Sequence, residues 1–423
     1  EAGGNLADLS AGTMAALTAL MPEGWSQGNP IDLGGEADGK RYAAALDTLF
    51  KDRNIDGVMV LNRPSALASS VEAARAVAEI SVRAKPCVLT SWMGGATAYE
   101  SRRLLAEKGL PTYDSPGHAA RGFMHMVNYR RNQVLLTETV PSIPEHFSPD
   151  VETARGLLRD VLRERREWLT EFEAKAVLAT YDIPVVPTEI APTPEMAADI
   201  AARMGGTVAL KILSPDILRK AAVGGVALDL ASPAAVFEAA SAMNRRVLQF
   251  APRAVLQGFT VMPMIRRRNS TELILGVVNE PQFGPMILFG QGGTAVEALG
   301  DTALALPPLN MHLAHEVMSR TGIWRVLKGF PGRPPADLDA IAATLVKVSQ
   351  LVTDLGEIVE LDINPLMADE NGVLALDARI RVAAFDGDPA SRLAIRPYPR
   401  HLEQEIKLAD GRHLLLRPVR PED

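Results

Sequence analysis

The sequence has 423 residues, of which 47% are hydrophobic and 22% are charged, and its formal net charge at pH 7 is −7. A chain of this length exceeds a single hydrophobic core, so we expect two or three domains. The composition excludes a disordered protein, and the modest, dispersed charge gives no argument for binding nucleic acid or a membrane surface. No apolar stretch has the length of a membrane span and no signal peptide is visible, so we predict a cytoplasmic protein.

Residues 1–140 alternate helical and strand patterns. The patterns predict helices over 11–20, 40–53, 69–83, 99–108 and 115–133, and strands over 55–62, 86–92 and 110–114. Strands separated by helices of this length are typical of a parallel, doubly wound sheet. Ligands of such sheets bind beyond the carboxyl ends of the strands, here residues 62–64 and 93–95. Simple tight turns explain the same residues, and the sequence alone favours that alternative.

The single cysteine, Cys87, lies in the apolar stretch KPCVLTSW. An unpaired cysteine in such surroundings is more often a small buried residue than a reactive thiol, so we predict that Cys87 is buried. The first residue is not Met and the sequence opens within a helical pattern. We therefore expect the chain to be a fragment of a longer protein.

Residues 140–149 contain Pro and Ser and are typical of a linker. An Arg-rich helix follows over 149–166, with its arginines on a solvated face. Thr170 and Glu173 have the spacing of a capping box, which predicts a helix that ends near Tyr181. This helix begins a second domain of α+β character.

The second domain continues with the strands IPVVPTEIA and TVALKIL, which flank a helix over 194–204, and it extends to about Ala384. Residues 385–401 have the Pro, Gly and Asp content of a linker. Asp410 and Gly411 lie between two apolar strands, a pattern that predicts a short hairpin.

Residues 357–382 read EIVELDINPLMADENGVLALDARIRV and predict two strands around a polar turn at 368–372. Because proline cannot donate a ladder hydrogen bond, we expect Pro365 at a strand end or edge. An ordinary hairpin with a solvated polar face explains this stretch, and on spacing alone it is the favoured interpretation.

Metal binding is the alternative for the same stretch. The period of two places Glu360, Asp362 and Asn364 on one face of the first strand. If the two strands pair, Asn364 and Asp377 converge as hard oxygen ligands. Mg²⁺ prefers such ligands, completed by nucleotide phosphates and water.

A second stretch, ALKILSPDILRKAAVGGV, has a lysine on a strand followed by a polar loop with two cations and a glycine pair. Free backbone N–H groups of glycines and cationic side chains suit phosphate. The residues concerned are Lys211, Arg219, Lys220, Gly224 and Gly225.

Two further stretches have possible nucleotide contacts. FGPMILFGQGGTAVEALGD has a glycine loop after a strand and continues to Glu297, although a plain strand-to-helix turn explains the same glycines. VMPMIRRRNSTELILGVV predicts a strand, a polar turn and a return strand, with Glu272 at the return. A buried acidic residue there would hold ribose hydroxyls, and a surface glutamate is the alternative.

Four motifs occur in this order: ALKILSPDI…VGGV, ELILGV…PQFGPMILFGQGGTAVE, LPPLN and ELDINPL…ALDARI. Together they resemble the ATP-grasp domain of the NDP-forming acyl-CoA synthetases, relatives of succinyl-CoA ligase. The first domain, with GNPID and YRRNQ, resembles the flavodoxin-like ligase domain of these proteins. The last residues, LADGRHLLLRPVRPED, resemble the opening of a GNAT acetyltransferase domain, an order similar to that of bacterial protein lysine acetyltransferases.

The resemblance implies an α/β protein in three parts. These are a flavodoxin-like, parallel-sheet ligase domain over 1–140, an α+β ATP-grasp domain over 150–384, and a linker with the start of a GNAT domain over 385–423. It also implies ATP or ADP and Mg²⁺ as ligands, with CoA or acyl-CoA in the full-length protein. We expect a homo-oligomer that acts through the GNAT domain on a protein substrate, for example an acyl-CoA synthetase.

The resemblance also implies roles for single residues. Asn364 and Asp377 match the Mg²⁺ ligands, Glu297 lies in the loop that faces the transferred phosphoryl group, and Asp362 lies near the phosphohistidine. The positions that match nucleotide-binding residues are Lys211, Arg219, Lys220, Gly224, Gly225, Glu272, Gly292 and Gly293.

The sequence departs from the family at the phosphoryl relay. Arg219 stands where these synthetases carry a histidine before VGGV, and an arginine can clamp a phosphate but cannot carry a phosphoryl group. None of the seven histidines matches a relay motif, and Met262 replaces a common glutamine. The other phosphohistidine and the CoA-binding domain would lie upstream of residue 1.

Three functions are consistent with these residues: an active ADP-forming acyl-CoA synthetase, a nucleotide- or acyl-CoA-binding module that regulates an attached acetyltransferase, and a purely structural unit. The matched metal and phosphate positions argue against the structural unit. Because Arg219 argues against the active synthetase, the sequence favours the regulatory module.

Overall fold

The computed structural model describes residues 3–82, 84, 86–137, 140, 147–217, 219–293, 300–399, 402–408, 410–420 and 423. The chain forms two compact units, Glu1–Thr137 and Glu138–Asp423. No helix of the described residues is long and apolar enough to cross a membrane.

The helices and strands of the first unit alternate, as the sequence predicts. The helices are α1 (Ala11–Leu20), α2 (Gly39–Leu49), α3 (Ser70–Ser81), α4 (Tyr99–Glu107) and α5 (Pro116–Thr137), and the strands are β1 (Gly57–Asn62), β2 (Cys87–Trp92) and β3 (Thr112–Tyr113). The strands pair in parallel in the order β1-β2-β3.

The second unit has a longer series of elements. Its helices are α6 (Val151–Arg163), α7 (Glu171–Ala179), α8 (Pro194–Met204), α9 (Pro233–Phe250), α10 (Met311–Ser319), α11 (Trp324–Leu327) and α12 (Leu338–Asp354). Its strands are β4 (Glu189–Ala191), β5 (Val208–Leu213), β6 (Val226–Leu230), β7 (Gly258–Pro263), β8 (Thr271–Glu280), β9 (Gly284–Gln291), β10 (Thr302–Ala305), β11 (Ile358–Asp369), β12 (Gly372–Ala375), β13 (Ala378–Val382), β14 (Gln404–Lys407) and β15 (His413–Leu416).

The ends of β1 and β2 in the first unit hold a buried polar network. The Asn62 amide donates to the Tyr42 hydroxyl over 3.1 Å and accepts from Ser70 over 2.8 Å. The Trp92 indole N–H donates to the same serine. Because these polar atoms satisfy one another, the structure supports a packing role for the strand end at Asn62.

Cys87 is exposed at the start of β2, so the prediction of a buried cysteine is wrong. The apolar run begins one residue later, since the rest of β2 is buried. Partial burial nevertheless raises the pKa of the Cys87 thiol, which lowers its thiolate fraction near neutral pH.

The main core of the second unit surrounds an antiparallel sheet with the order β10-β9-β8-β11-β12, in which β13 also pairs with β11. Buried side chains of α6, α7, α10 and α12 pack against β8, β9, β11 and β13. The capping box at the start of α7 is present: the Thr170 hydroxyl accepts from the Glu173 N–H, and the Glu173 carboxylate accepts from the Thr170 N–H.

A smaller antiparallel sheet, β4-β7-β5-β6, packs against α8 and α9. The sequence predicts that β7 and β8 form a strand, turn and return strand, and this is wrong. They belong to different sheets, and residues 264–270 connect the two. The predicted strand IPVVPTEIA is also shorter, because only Glu189–Ala191 forms a strand.

The stretch 357–382 forms a long strand, β11, whose return is divided into β12 and β13. Pro365 lies inside β11, which pairs on both sides, so it is neither at a strand end nor at a sheet edge, contrary to prediction. The proline is accommodated because the pairing of β11 with β8 shifts register between Ile363 and Leu366.

The stretch predicted as a linker after Ala384 is partly packed. Leu393 is buried, and the Arg392 guanidinium donates three hydrogen bonds to backbone carbonyls of the main core. The hairpin predicted around Asp410 and Gly411 is present, formed by β14 and β15.

Candidate functional site

A cavity of about 450 Å³ lies in the second unit, between the small sheet and the long strand β11. Strand β5 and the segment 219–226 form one wall, and β11 with the start of β13 forms the other. The residues that line it are Lys211, Arg219, Lys220, Ala221, Ala222, Val226, Asp362, Asn364, Asp377, Ala378 and Arg379.

Asn364 and Asp377 lie side by side on the wall formed by β11. The Asn364 N–H donates to the Asp377 carbonyl over 3.3 Å, and the Leu376 N–H donates to the Pro365 carbonyl over 3.1 Å. These bonds continue the pairing across the gap between β12 and β13. The structure therefore brings the two predicted metal ligands together, as the spacing predicts.

Lys211 of β5 links this wall to a buried carboxylate. Its ammonium nitrogen lies 2.9 Å from an oxygen of Asp377 and 2.9 Å from an oxygen of Glu171. Glu171 also accepts from Lys175 over 2.9 Å and from Lys220 over 2.8 Å. The two lysines predicted to bind phosphate are thus held by one carboxylate, at the first residue of α7.

The charges in this cluster stabilise one another. Burial alone would raise the pKa of Glu171, but the ammonium groups of Lys211, Lys220 and Lys175 lower that pKa well below its usual range. Burial would lower the pKa of Lys211, but Asp377 and Glu171 raise it. Burial does lower the pKa of Lys175. Lys211 therefore stays charged next to Asp377.

Neither glycine pair has free N–H groups, although the sequence predicts such groups for phosphate at Gly224 and Gly225. The N–H groups of Gly224 and Gly225 donate to the carbonyls of Ala221 and Lys220. In the second pair, one N–H donates to the Glu272 carbonyl and the other to Asn364 Oδ1 over 2.9 Å. The cationic side chains, and not these amides, are the groups available to an anion in the cavity.

The backbone conformation explains why residue 224 is a glycine, and close packing explains why residue 292 is one. Gly224 has a φ of +63°, in the left-handed region that favours glycine. A Cβ on Gly292 would overlap the backbone carbonyl of Leu273 on β8. Glycine therefore permits the close approach of the loop after β9 to the neighbouring strand.

Asp362 lines the cavity on the same wall as Arg379, its cross-strand partner on β13. Burial raises the pKa of Asp362, Arg379 lowers it, and the carboxylates of Asp377 and Glu360 raise it, with a net increase. One Asp362 carboxylate oxygen is buried without a hydrogen-bond partner among the described residues. A buried carboxyl of this kind keeps its proton up to a higher pH than the carboxyl of an exposed aspartate does.

The other predicted residues are placed as follows. Arg219 is exposed and lines the cavity. Glu272 is exposed and lies next to Gly293, whose Cβ would meet its carboxylate, but it does not line the cavity. Glu297 lies outside the described residues.

Sequence reasoning did not find Glu171, Lys175 or Arg379 as site residues. Glu171 and Lys175 have the i, i+4 spacing of a helical ion pair, but such pairs are common on exposed helix faces. Nothing in that spacing shows that both side chains are buried. Arg379 could have been found from its place two residues after Asp377 in the sequence.

The side chains fit a Mg²⁺ ion. Asn364 and Asp377 supply hard oxygen atoms on one wall, and the opposite wall carries cations that suit phosphate. No group of three or more His, Cys, Asp or Glu among the described residues could hold a metal by itself. The remaining ligands would therefore be phosphate oxygens and water, the arrangement that Mg²⁺ prefers.

The chain matches the ATP-grasp domain family over residues 160–382. It is 34% identical over 378 residues to acetate–CoA ligase (ADP-forming) I of Archaeoglobus fulgidus, which covers 89% of this chain and 53% of that protein. It is 34% identical over 230 residues to acetate–CoA ligase (ADP-forming) I subunit beta of Pyrococcus furiosus, covering 54% of this chain and 98% of that subunit. The chain thus spans about half the length of the first relative.

A solved structure is similar over the same part. It is the dinucleotide forming acetyl-coenzyme A synthetase 1 of Ca. Korarchaeum cryptofilum, in complex with coenzyme A, Ca-AMPCP and HgCl+. The TM-score is 0.52 and the identity is 33%, over 54% of this chain and 100% of that chain.

Proposed function

This chain belongs to the ATP-grasp domain family that ADP-forming acetate–CoA ligases share, and we propose that it is the nucleotide-binding part of an ADP-forming acyl-CoA synthetase. Such an enzyme makes acyl-CoA, ADP and phosphate from a carboxylic acid, CoA and ATP, or runs in reverse. The observation that carries the proposal is the arrangement of Asn364 and Asp377 opposite Lys211 in one cavity. In this arrangement, the oxygens that would bind a metal and the cation that would bind phosphate lie within reach of the same ligand.

The residues of the cavity divide the work. Asn364 and Asp377 would hold Mg²⁺, which when bound neutralises charge on the nucleotide phosphates. Lys211, Lys220 and Arg219 would bind the phosphate oxygens. Together, the bound metal and these cationic side chains would orient the terminal phosphate. They would also reduce the charge repulsion between that phosphate and an attacking group.

Residues around the cavity would complete the site. Glu272 would bind the ribose hydroxyls, and Glu297 with the glycine loop would face the transferred phosphoryl group. Asp362, which lines the cavity, would contact the histidine that accepts this group. Its raised pKa would let it exchange a proton with that histidine. No histidine among the described residues lines the cavity, so the accepting side chain would come from a segment other than the lining residues.

CoA and the acid would bind elsewhere in the same enzyme. The solved relative contains coenzyme A together with Ca-AMPCP, a complex of a nucleotide analogue with a divalent cation. That composition supports ATP or ADP, a divalent cation and CoA as the ligands of this protein. The Pyrococcus furiosus relative is a beta subunit, which supports an oligomer, and we propose a homo-oligomer here.

The regulatory module of a protein lysine acetyltransferase, which the sequence favours, is the second candidate. Arg219 supports it, because an arginine at the position of the family histidine cannot carry a phosphoryl group. The hairpin of β14 and β15 would then begin the GNAT domain. The relatives, which are ADP-forming ligases, support the synthetase better than the regulatory module.

Two measurements test the proposal. Full-length protein incubated with acetate, CoA and Mg-ATP should form ADP in step with acetyl-CoA, and formation of neither product would reject the synthetase. Calorimetry should show Mg²⁺-dependent binding of ADP that Asp377→Asn weakens at least tenfold. Asp386→Asn, which removes an exposed carboxylate, should leave binding unchanged.

A further inference from the structure

Glu171, to which the proposed function assigns no role, lies at the centre of a buried ionic cluster. Its side chain is 1% exposed, and within the described part of the chain it contacts three lysines. One carboxylate oxygen accepts from Lys175 and Lys211, and the other accepts from Lys220. Each oxygen is therefore committed to specific ammonium groups at hydrogen-bond distance.

Stability alone is a weak explanation for this cluster. Taking several charges out of water costs more than a hydrophobic replacement of similar volume, so a buried ionic cluster is poor evidence for a stabilising role. Lys175 does not line the cavity; its side chain is 4% exposed and also donates to Thr188. Lys211 and Lys220 instead line the cavity.

Glu171 connects three separate elements of the second unit. Lys211 projects from β5, whereas Lys220 begins the short turn before Gly224, and Glu171 opens α7. The N-terminus of α7 favours a carboxylate at that place. Because one carboxylate holds both lysines by different oxygens, the distance and direction between the two ammonium groups depend on it.

The charge balance leaves the cluster ready for an anion. Three ammonium groups face two carboxylates, Glu171 and Asp377, so one positive charge is uncompensated. Arg219 adds a further cation at the cavity wall. A nucleoside monophosphate brings one phosphate group to these cations, whereas a diphosphate or triphosphate brings two or three, so that each lysine can bind a different phosphate group.

We propose that Glu171 is a positioning residue that holds Lys211 and Lys220 as a pair for the polyphosphate of a nucleoside di- or triphosphate. This inference rests on the proposed function, since it concerns the same nucleotide site. It assigns to Glu171 the selectivity for nucleotides with two or three phosphates over nucleoside monophosphates, without contact between Glu171 and the nucleotide.

Calorimetry on the full chain with Mg-ADP and with AMP tests the proposal. Glu171→Gln removes the charge and replaces one accepting oxygen with an NH₂ group, which cannot accept, so a single oxygen remains for the three lysines. We expect Mg-ADP affinity to fall at least tenfold while AMP affinity changes less than twofold. An equal loss for both nucleotides would indicate a structural role only, and unchanged or tighter Mg-ADP binding would show that Glu171 merely offsets charge. An equal loss for both nucleotides, unchanged Mg-ADP binding and tighter Mg-ADP binding would each overturn the proposal.

Glu173→Gln is the matched control, because Glu173 lies on the same helix but binds Arg166 and not a cavity lysine. It should leave the ratio of ADP to AMP affinity unchanged. Should Glu171→Gln fail to fold, Glu171→Asp makes the same test, since it keeps the charge but is too short to hold all three lysines.

A double-mutant cycle tests the route through Lys220. In a Lys220→Met background, substitution of Glu171 should cost clearly less Mg-ADP affinity than it does alone, because one of the lysines that it positions is absent. Fully additive losses would overturn the proposal. Absence of Mg-ADP binding by the unsubstituted chain would instead reject the proposed function, and this result is distinct from every variant result above.

Discussion

The ammonium nitrogen of Lys211 lies 2.9 Å from a carboxylate oxygen of Asp377. Asp377 is also one of the two proposed Mg²⁺ ligands, so a divalent cation and Lys211 compete for the same carboxylate. Nucleotide phosphates resolve this competition, because they offer Lys211 another anionic partner while they complete the metal's ligands. Binding of the metal and of the nucleotide should therefore be coupled.

Lys211→Met should separate these two effects. Binding of Mg²⁺ alone should strengthen by about fivefold, which corresponds to about 1 kcal/mol, because Asp377 loses its competing cation. Mg-ADP binding should weaken at least tenfold, because a phosphate partner is lost. Calorimetry with MgCl₂ and with Mg-ADP measures both. Lys328→Met, which removes a lysine that lies over the Trp324 ring, should change neither, and weaker Mg²⁺ binding by Lys211→Met would contradict the competition.

Gly292→Ala should loosen the loop after β9. The added Cβ would overlap the Leu273 carbonyl and lie 2.9 Å from the Ile274 nitrogen, so backbone must shift. We expect a loss of about 1–3 kcal/mol in local stability, the usual cost of overpacking. Hydrogen exchange of β8 amides, followed by mass spectrometry, measures it. Gly156→Ala in α6, where a Cβ meets nothing within 4 Å, should be neutral or stabilising by up to about 1 kcal/mol; equal effects of the two substitutions would refute the steric argument.

Local patterns predict much of this fold because their causes are local. The capping box at Thr170 and the turn at Asp410 depend on residues a few positions apart, and both are present. The convergence of Asn364 and Asp377 also follows from strand period and a turn. The placement of β7 and β8 in different sheets could not be predicted in this way. Two consecutive strands with a polar connection have the same local pattern whether they pair with each other or belong to two sheets.

The buried cluster could not be predicted for a related reason. Glu171 and Lys175 are neighbours on α7, but Lys211 and Lys220 bind Glu171 from other elements. Burial of these charges depends on tertiary packing that no short stretch encodes. The bonding of the Gly293 N–H group has the same origin, since it donates to a side chain 71 residues away in sequence.

Glu173 should make stability depend on pH. Burial would raise its pKa, but hydrogen bonds from Arg166 and Thr170 lower it below the ordinary value of 4.5. A carboxyl whose pKa is lowered by folding stabilises the protein above its unfolded pKa, and this stabilisation is lost as the pH falls through the folded pKa. Glu173→Gln should therefore cost about 1–3 kcal/mol at pH 7, and this difference should shrink progressively below about pH 4.5.

Urea unfolding of the full chain between pH 7 and pH 3.5, followed by circular dichroism, measures this difference. Glu164→Gln is the matched control, because Glu164 binds the same arginine from an exposed position. It should change stability only slightly at every pH. A loss for Glu173→Gln that stays constant down to pH 3.5 would show that the carboxylate charge is not the cause of the stabilisation.

Arg392 should hold the segment after Ala384 on the main core. Its guanidinium donates to the Ile358 carbonyl over 2.6 Å and to the carbonyls of Val352 and Leu355 over 2.8 and 2.9 Å. The last two lie at the C-terminal end of α12, where carbonyls lack helical partners and a cation is favoured. Arg392→Ala leaves these acceptors without their donor, so we expect a loss of about 2–4 kcal/mol in local stability.

Hydrogen exchange of the last turn of α12 and of the start of β11 measures this loss in the full chain. Arg392→Lys should recover less than half of it, because one ammonium group cannot reach three carbonyls in the fan that a planar guanidinium spans. Arg396→Ala, a change at an exposed arginine of the same segment, should leave the exchange rates unchanged. If Arg392→Ala and Arg396→Ala behave alike, the segment does not stabilise α12. If only Arg392→Ala speeds exchange, the first residues after Ala384 contribute to the stability of the main core, because Arg392 stabilises the end of α12, a helix of that core.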